Sequence, residues 1–176
     1  NVAIGENALL SNTTADDNTA VGVGALDANT TGASNTALGR NTLTDNTTAS
    51  NNTAVGTSAL LANTTGASNT AVGMSCLSNN TTASNNTGIG YFALAANTTG
   101  FSNTALGKGT VRMNSTGSNN TGVGFDALNS NTTGTRNTAV GASASDANTT
   151  GNYTTSLGYN ALGSNTTGDS NTAIGD

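Results

Sequence analysis

The chain has 176 residues, of which only 7% are charged, with 23 Gly, no Pro, Trp or His, and a formal net charge of −5. Its four cations (Arg40, Lys108, Arg112, Arg136) are scattered, which excludes nucleic acid as a partner because phosphate-backbone binding needs clustered Lys and Arg. The bulk is Asn, Thr, Ala, Gly and Ser, unlike the charge- and Pro-rich composition of a disordered chain, and no apolar stretch approaches the roughly 20 residues that span a bilayer.

A repeat of 17 residues organises everything else. The pentad Asn-Thr-Ala-aliphatic-Gly, with Gly in place of Ala in the copies at Asn86 and Asn120, starts at Asn18, Asn35, Asn52, Asn69, Asn86, Asn103, Asn120, Asn137 and Asn171, with variants at Asn1 and Thr154. Residues 1–176 form one array: ten full coils (1–170) and the start of an eleventh (171–176). Along the coil, position four is aliphatic and position five Gly in all eleven copies. Position eight is small, position nine is Leu except at Val111 and Ser145, and positions twelve and fourteen are Asn and Thr in every full copy.

In chain order, the pentad predicts a short strand over positions one to five, positions seven to ten a second strand, and Asn-Thr-Thr-Gly a turn. One such rung per repeat, stacked in register about 4.8 Å apart, is a parallel β-solenoid; ten rungs give a rod roughly 50 Å long. Helical repeats are excluded by the β-branched pentad and by the shortness of the period. Alternation puts the Ala of position three and the aliphatic of position four on opposite faces. Either one row fills the coil and the other packs against a partner chain, most simply in a parallel homotrimer, or both lie inside a kinked coil. On both readings an Asp at Val72 buries an unpaired charge. The variable positions six, seven, ten, sixteen and seventeen carry most charged and aromatic side chains and are expected to face solvent. Position fifteen alternates between Ala and Gly over the first six copies, which marks growth by duplicated pairs 34 residues long.

The Asn column of position twelve (Asn12, Asn29, Asn46, Asn63, Asn80, Asn97, Asn114, Asn131, Asn148, Asn165) reads first as a ladder of stacked amides and alternatively as N-x-Ser/Thr glycosylation acceptors. Without His, no Ser-His, Cys-His or imidazole-metal site can form, and the one cysteine, Cys76, allows neither a disulfide nor a metal cluster. Cys76 stands in an Ala column and reads as a small buried hydrophobe. Asp16 and Asp17 are adjacent solvated turn acids, and Gly22-Val23-Gly24 lacks the Lys-Ser/Thr of a phosphate loop. No catalytic residue, cofactor or metal is expected, and the protein is read as no enzyme.

Pentads such as Asn52-Thr53-Ala54-Val55-Gly56 resemble the repeats of trimeric autotransporter adhesin heads, and the longer N-T-T-G-x-x-N-T-A-V-G unit resembles bacteriophage tail-fibre shafts. The resemblance runs through the whole chain. It implies left-handed parallel coils in a homotrimer on a cell or virion surface, with the extra turn at Asn-Thr-Thr-Gly as a protruding loop. The expected function is a rigid extracellular fibre segment presenting surface residues to a host receptor or glycan, its first partner being itself. Tyr91, Phe92, Phe101, Phe125 and Tyr159 are the candidate contacts, three of which (Tyr91, Phe125, Tyr159) share one column at every second coil. Ice binding through Thr columns at positions two, thirteen and fourteen is the alternative; it asks for two outward Thr flanking one inward residue. The chain opens without a signal segment and ends in mid-pattern without polar caps, so a window on a longer fibre, or end-to-end stacking into a filament, is also expected.

Overall fold

The computed structural model describes all residues from Asn1 to Asp176. Eleven three-residue strands, β1 (Val2–Ile4) through β11 (Thr172–Ile174), form one parallel sheet in strictly sequential order. Each strand covers positions two to four of its repeat. Pairing joins equal positions: β1 to β2 (Thr19–Val21) matches Val2 with Thr19, Ala3 with Ala20 and Ile4 with Val21. A step of one repeat is therefore one rung of a parallel β-solenoid, with ten spacings of about 4.8 Å along the axis.

The second strand expected over positions seven to ten does not form. That wall contains two left-handed residues per rung, with φ between +50 and +60 at such pairs as Ser58 and Leu60 or Ser75 and Leu77. A left-handed residue breaks the two-residue alternation, which lets neighbours at positions eight and nine both turn inward. Ala59 and Leu60, or Cys76 and Leu77, are accordingly both fully buried. The wall is still laddered, since the Leu60 N–H donates to the Cys76 carbonyl above and the Ser75 N–H to the Thr57 carbonyl below. Only 20 of 110 backbone–backbone hydrogen bonds lie within the strands, so the coil is held together mostly outside its sheet.

Gly of position five makes the sharp corner after each strand. Gly56 has φ +121, and a Cβ on it would lie 2.8 Å from the Gly73 carbonyl carbon of the next rung. Both the backbone angle and the rung spacing exclude a side chain there.

The interior is narrow. Ala of position three, the small residue of position eight and Leu of position nine form one continuous apolar cluster along the rod. The aliphatic row of position four points outward: Leu38, Ile89, Leu106 and Leu157 are exposed, and Val21, Val55, Val72, Val123 and Val140 half-buried. Of the two arrangements open to the sequence, the one with both rows inside the coil is thus not adopted by this chain. Leu of position nine already fills the lumen, leaving space on the facing strand for Ala alone.

Three departures from the repeat inside this lumen come with a matching change in the next rung. Cys76 replaces Ala at position eight, and the residue facing it in the next rung is Gly88 instead of Ala; a Cβ on Gly88 would lie 2.5 Å from the Cys76 Sγ. Thr110 is matched by Gly122, where a Cβ would lie 2.6 Å from the Thr110 Cγ2. Ser145 replaces Leu, and its hydroxyl donates to that of Ser156, which replaces Ala, at 2.9 Å. Thr42 needs no such partner: its hydroxyl donates to Gly39 of its own rung, whereas that of Thr110 donates to Gly124 of the next.

Candidate functional site

Two features of the rod have the geometry of sites: its polar ladders and a cationic-aromatic cleft on one corner. The ladders come first because they fix the wall opposite the strand. Each internal Asn of position twelve is fully buried and spends both amide hydrogens. Asn80 Nδ2 donates to Asn63 Oδ1 below (2.8 Å) and to the Ala83 carbonyl of its own rung (2.9 Å), while Asn80 Oδ1 accepts from Asn97 above (2.9 Å). The pattern repeats from Asn46 to Asn148. A glycan on any of these nitrogens would require the amide to leave the ladder and the buried wall.

A second ladder lies at position one. Asn69 Nδ2 donates to the Ala83 carbonyl (2.9 Å), and its Oδ1 accepts the backbone N–H of Asn86 one rung on (2.9 Å). The position-fifteen carbonyl is thus the shared acceptor of both Asn columns and pins the turn between them. Asn-Thr-Thr-Gly is consequently part of the rung wall and not a protruding loop. Thr154, the one substitute in the first column among the full rungs, presents both its N–H and its hydroxyl to Asn137 Oδ1. Every buried side-chain polar atom has a partner, as a satisfied polar network requires. The invariant spacing of the first Asn was visible in the sequence, but the pentad around it reads as strand.

Hydroxyls of position thirteen are likewise engaged, as when Thr64 Oγ1 donates to the Thr81 carbonyl at 3.0 Å. Those of position fourteen are exposed throughout, from Thr14 to Thr167. Thr of position two points outward beside the aliphatic of position four, across the inward Ala.

The aromatic candidates do not form one surface. Tyr91, Phe101, Phe125 and Tyr159 are exposed and Phe92 is half-buried. Phe101 belongs to position sixteen, on a different part of the coil, and Tyr159 is separated from Phe125 by a rung carrying Ala142. Tyr91 and Phe92 meet edge to face with centroids 4.3 Å apart. In the same column Lys108 Nζ stands 5.3 Å from the Phe125 centroid, and the Arg112 guanidinium stands 5.1 Å from that of Phe92. Tyr91, Phe92, Lys108, Arg112, Asp126 and Asn129 line a cleft of about 260 Å³ floored by Gly109. A shallower groove of about 330 Å³ adjoins it across the Phe92–Arg112 pair, bordered by Ser78, Ala95 and Met113.

Four of these residues were not singled out as contacts from sequence: Lys108, Arg112, Asp126 and Asn129. Positions seven and ten approach position six only because left-handed residues fold that corner, and the left-handed Leu of position nine carries no side-chain sign of it. Tyr153, also exposed, was missed as well; its hydroxyl accepts from Arg136, whose guanidinium lies over the same ring.

Cys76 lies in the lumen, where burial pushes its thiol up from the usual 9.0 to about 12, a hydrogen bond with the Val72 backbone opposing the shift. Asp16 and Asp17 are exposed at their turn. No cluster of three or more His, Cys, Asp or Glu could hold a metal ion, and no helix is long and apolar enough to cross a membrane. No family profile, curated protein sequence or solved structure matches this chain.

Proposed function

We propose that the chain is a segment of an extracellular fibre, an adhesin or phage tail fibre, in which parallel copies associate side by side, most simply as a homotrimer, into a stiff rod that presents its corners to a host-surface receptor or glycan. The observation that carries this reading is the outward row of position four. Eleven residues out of eleven are aliphatic at a place where neither the lumen nor the backbone demands it. A row turned to water on a rod this polar would be free to vary, as positions six and seventeen do. Burying it against equivalent rows removes apolar surface from water at about 25 cal/mol per Å² and accounts for its uniformity. Identical rung heights favour in-register parallel neighbours. Left-handed winding belongs to the same proposal, through the resemblance to autotransporter heads.

The mass and shape of the purified chain in solution, from light scattering with negative-stain imaging, test this reading. A thin particle of three times the chain mass is expected, falling to a single folded chain for Val72→Asp; a single-chain rod for the wild type refutes lateral association.

A second reading has an observation of its own. Thr of position two and the aliphatic of position four flank an inward Ala on an in-register sheet, giving half of the two-Thr arrangement that ice binding asks for. Thermal hysteresis by the single-chain form would favour it, and its absence would discard it.

A further inference from the structure

We propose that the corner cleft of rungs six to eight binds an acidic saccharide, a pyranose bearing a carboxylate, with Arg112 and Lys108 meeting the carboxylate and Tyr91 meeting the face of the sugar ring. The inference rests on the fibre reading for its biological sense, but its chemistry stands on the cleft alone.

Three adjacent columns meet here over three successive rungs. Position six supplies Tyr91, Lys108 and Phe125; position seven, Phe92, Gly109 and Asp126; position ten, Ala95, Arg112 and Asn129. Gly109 makes the opening. A side chain at that point would collide with the Asp126 carboxylate, which occupies the space a position-seven side chain would take. Asp126 is held in turn by Asn129, whose amide donates to Asp126 Oδ1 (3.0 Å) and to the Gly109 carbonyl (2.9 Å). The cleft floor is therefore built and not an accident of flexible side chains.

Phe92 is the second observation. Position seven is left-handed in every rung, and elsewhere it is filled by Asn, Gly, Ser or Asp, the residues suited to that conformation. Phe92 adopts φ +56 there, at a cost of about 1–2 kcal/mol. Nothing in the coil requires an aromatic at that corner, whereas a ring that seats Tyr91 on one side and Arg112 on the other preorganises the cleft.

Charge decides the ligand class. Two of the four cations in a chain of net charge −5 stand in this one cleft, against the single carboxylate of Asp126. Both lie over rings, and neither side chain has a hydrogen-bond partner within the chain; Arg136, by contrast, is bonded to the Tyr153 hydroxyl. A cation beside an aromatic platform, with a carboxylate and an amide oxygen within the same 260 Å³, suits one charged group and several hydroxyls on a flat ring. A volume of that size accommodates one sugar residue, and the groove beyond Phe92 and Arg112 leaves room for a chain to continue on that side.

The test uses two methyl glycosides that differ only in the charged group, methyl β-glucuronide and methyl β-glucoside, titrated into the isotope-labelled protein and followed by amide shifts. Saturable shifts around residues 91, 92, 108–112, 126 and 129 are expected with the glucuronide, about tenfold weaker with the glucoside. Arg112→Ala should weaken glucuronide about tenfold and leave the rest of the spectrum in place, as expected for loss of one charge-assisted contact. Arg112→Lys should recover part of the loss. Equal response to both glycosides, shifts unchanged by Arg112→Ala, or no saturable response to either would overturn the proposal. Particle mass, measured on the same sample, separates this outcome from the fibre reading: a trimer that ignores glucuronide defeats only the cleft, and a single chain that binds it defeats only the fibre.

Discussion

Replacing Gly88 by Ala restores the common residue of its column, and would ordinarily stabilise a strand by about 0.5–1 kcal/mol through reduced backbone freedom. Here the opposite is expected. Gly88 lies in β6 (Thr87–Ile89), and its new Cβ would sit 2.5 Å from the Cys76 Sγ and 3.5 Å from Leu77 Cδ1, both fully buried in the lumen. Overpacking of that kind costs about 1–3 kcal/mol, so Gly88→Ala should be destabilising or at best neutral. Cys76→Ala alone leaves a small void beside Gly88 and should also lose stability, by about 1 kcal/mol or more. Together they recreate the arrangement of Ala59 and Ala71, two buried alanines in adjacent rungs, and the double variant should recover most of the loss. A coupling of about 1–3 kcal/mol is the expected result of the cycle. Circular dichroism during urea unfolding, at fixed protein concentration because self-association would shift the midpoint, measures the four stabilities. Additive effects, or a stabilising Gly88→Ala, would refute the claim that the lumen is packed by rung-to-rung pairs.

Other consequences follow from the ladders and the buried thiol. Asn80→Ala removes a residue that bonds the rungs above and below, leaving Asn63 Oδ1 and one Asn97 amide hydrogen unpaired; at about 1–3 kcal/mol per buried orphan, the loss should be about 2–6 kcal/mol by urea unfolding. Asn165→Ala, at a half-buried terminal rung, should cost less than half as much by the same assay. The Cys76 thiol should resist alkylation in the folded protein and react on unfolding. Because its folded pKa is raised to about 12 from 9.0, its contribution is complete below pH 9 and lost as pH rises toward 12. Wild type should therefore lose about 1.4 kcal/mol per pH unit more than Cys76→Ala within that window, measured by urea unfolding at each pH. Gly56→Ala, at φ +121 against the backbone of Gly73, should cost more than about 2 kcal/mol in thermal or urea unfolding.

The sequence was most legible where one rule repeats. An unbroken period with a fixed aliphatic and a fixed Gly leaves little but a stacked β-coil, and alternation correctly opposes Ala54 to Val55. Which of the two turns inward depends on Leu60, because the lumen holds only one large side chain per rung and Leu60 takes that place. That Leu60 adopts a left-handed backbone has no signature in its side chain, which is why the second wall reads as a strand from sequence. The pairing of Cys76 with Gly88 was hidden for another reason: the partners are twelve residues apart and belong to different columns, so neither departure explains itself within its own column. The cleft was half visible. Tyr91 and Phe125 stand out as large residues in a small-residue chain, but Asp126 and Asn129 look like ordinary turn residues until Gly109 is seen to leave room for them.

The central claim is that the outward aliphatic row is a contact between parallel copies, and a spin label at Val72→Cys in a Cys76→Ala background tests it most directly. Val72 lies at the end of β5 (Thr70–Val72), on the outward face of the sheet. Facing sheets pack about 10 Å apart, so in-register neighbours should give strong dipolar broadening at Val72→Cys, lost on dilution with unlabelled protein and weaker for a label at Thr65→Cys on the opposite turn. Sharp, concentration-independent spectra from Val72→Cys would show that the row faces water and would contradict the account.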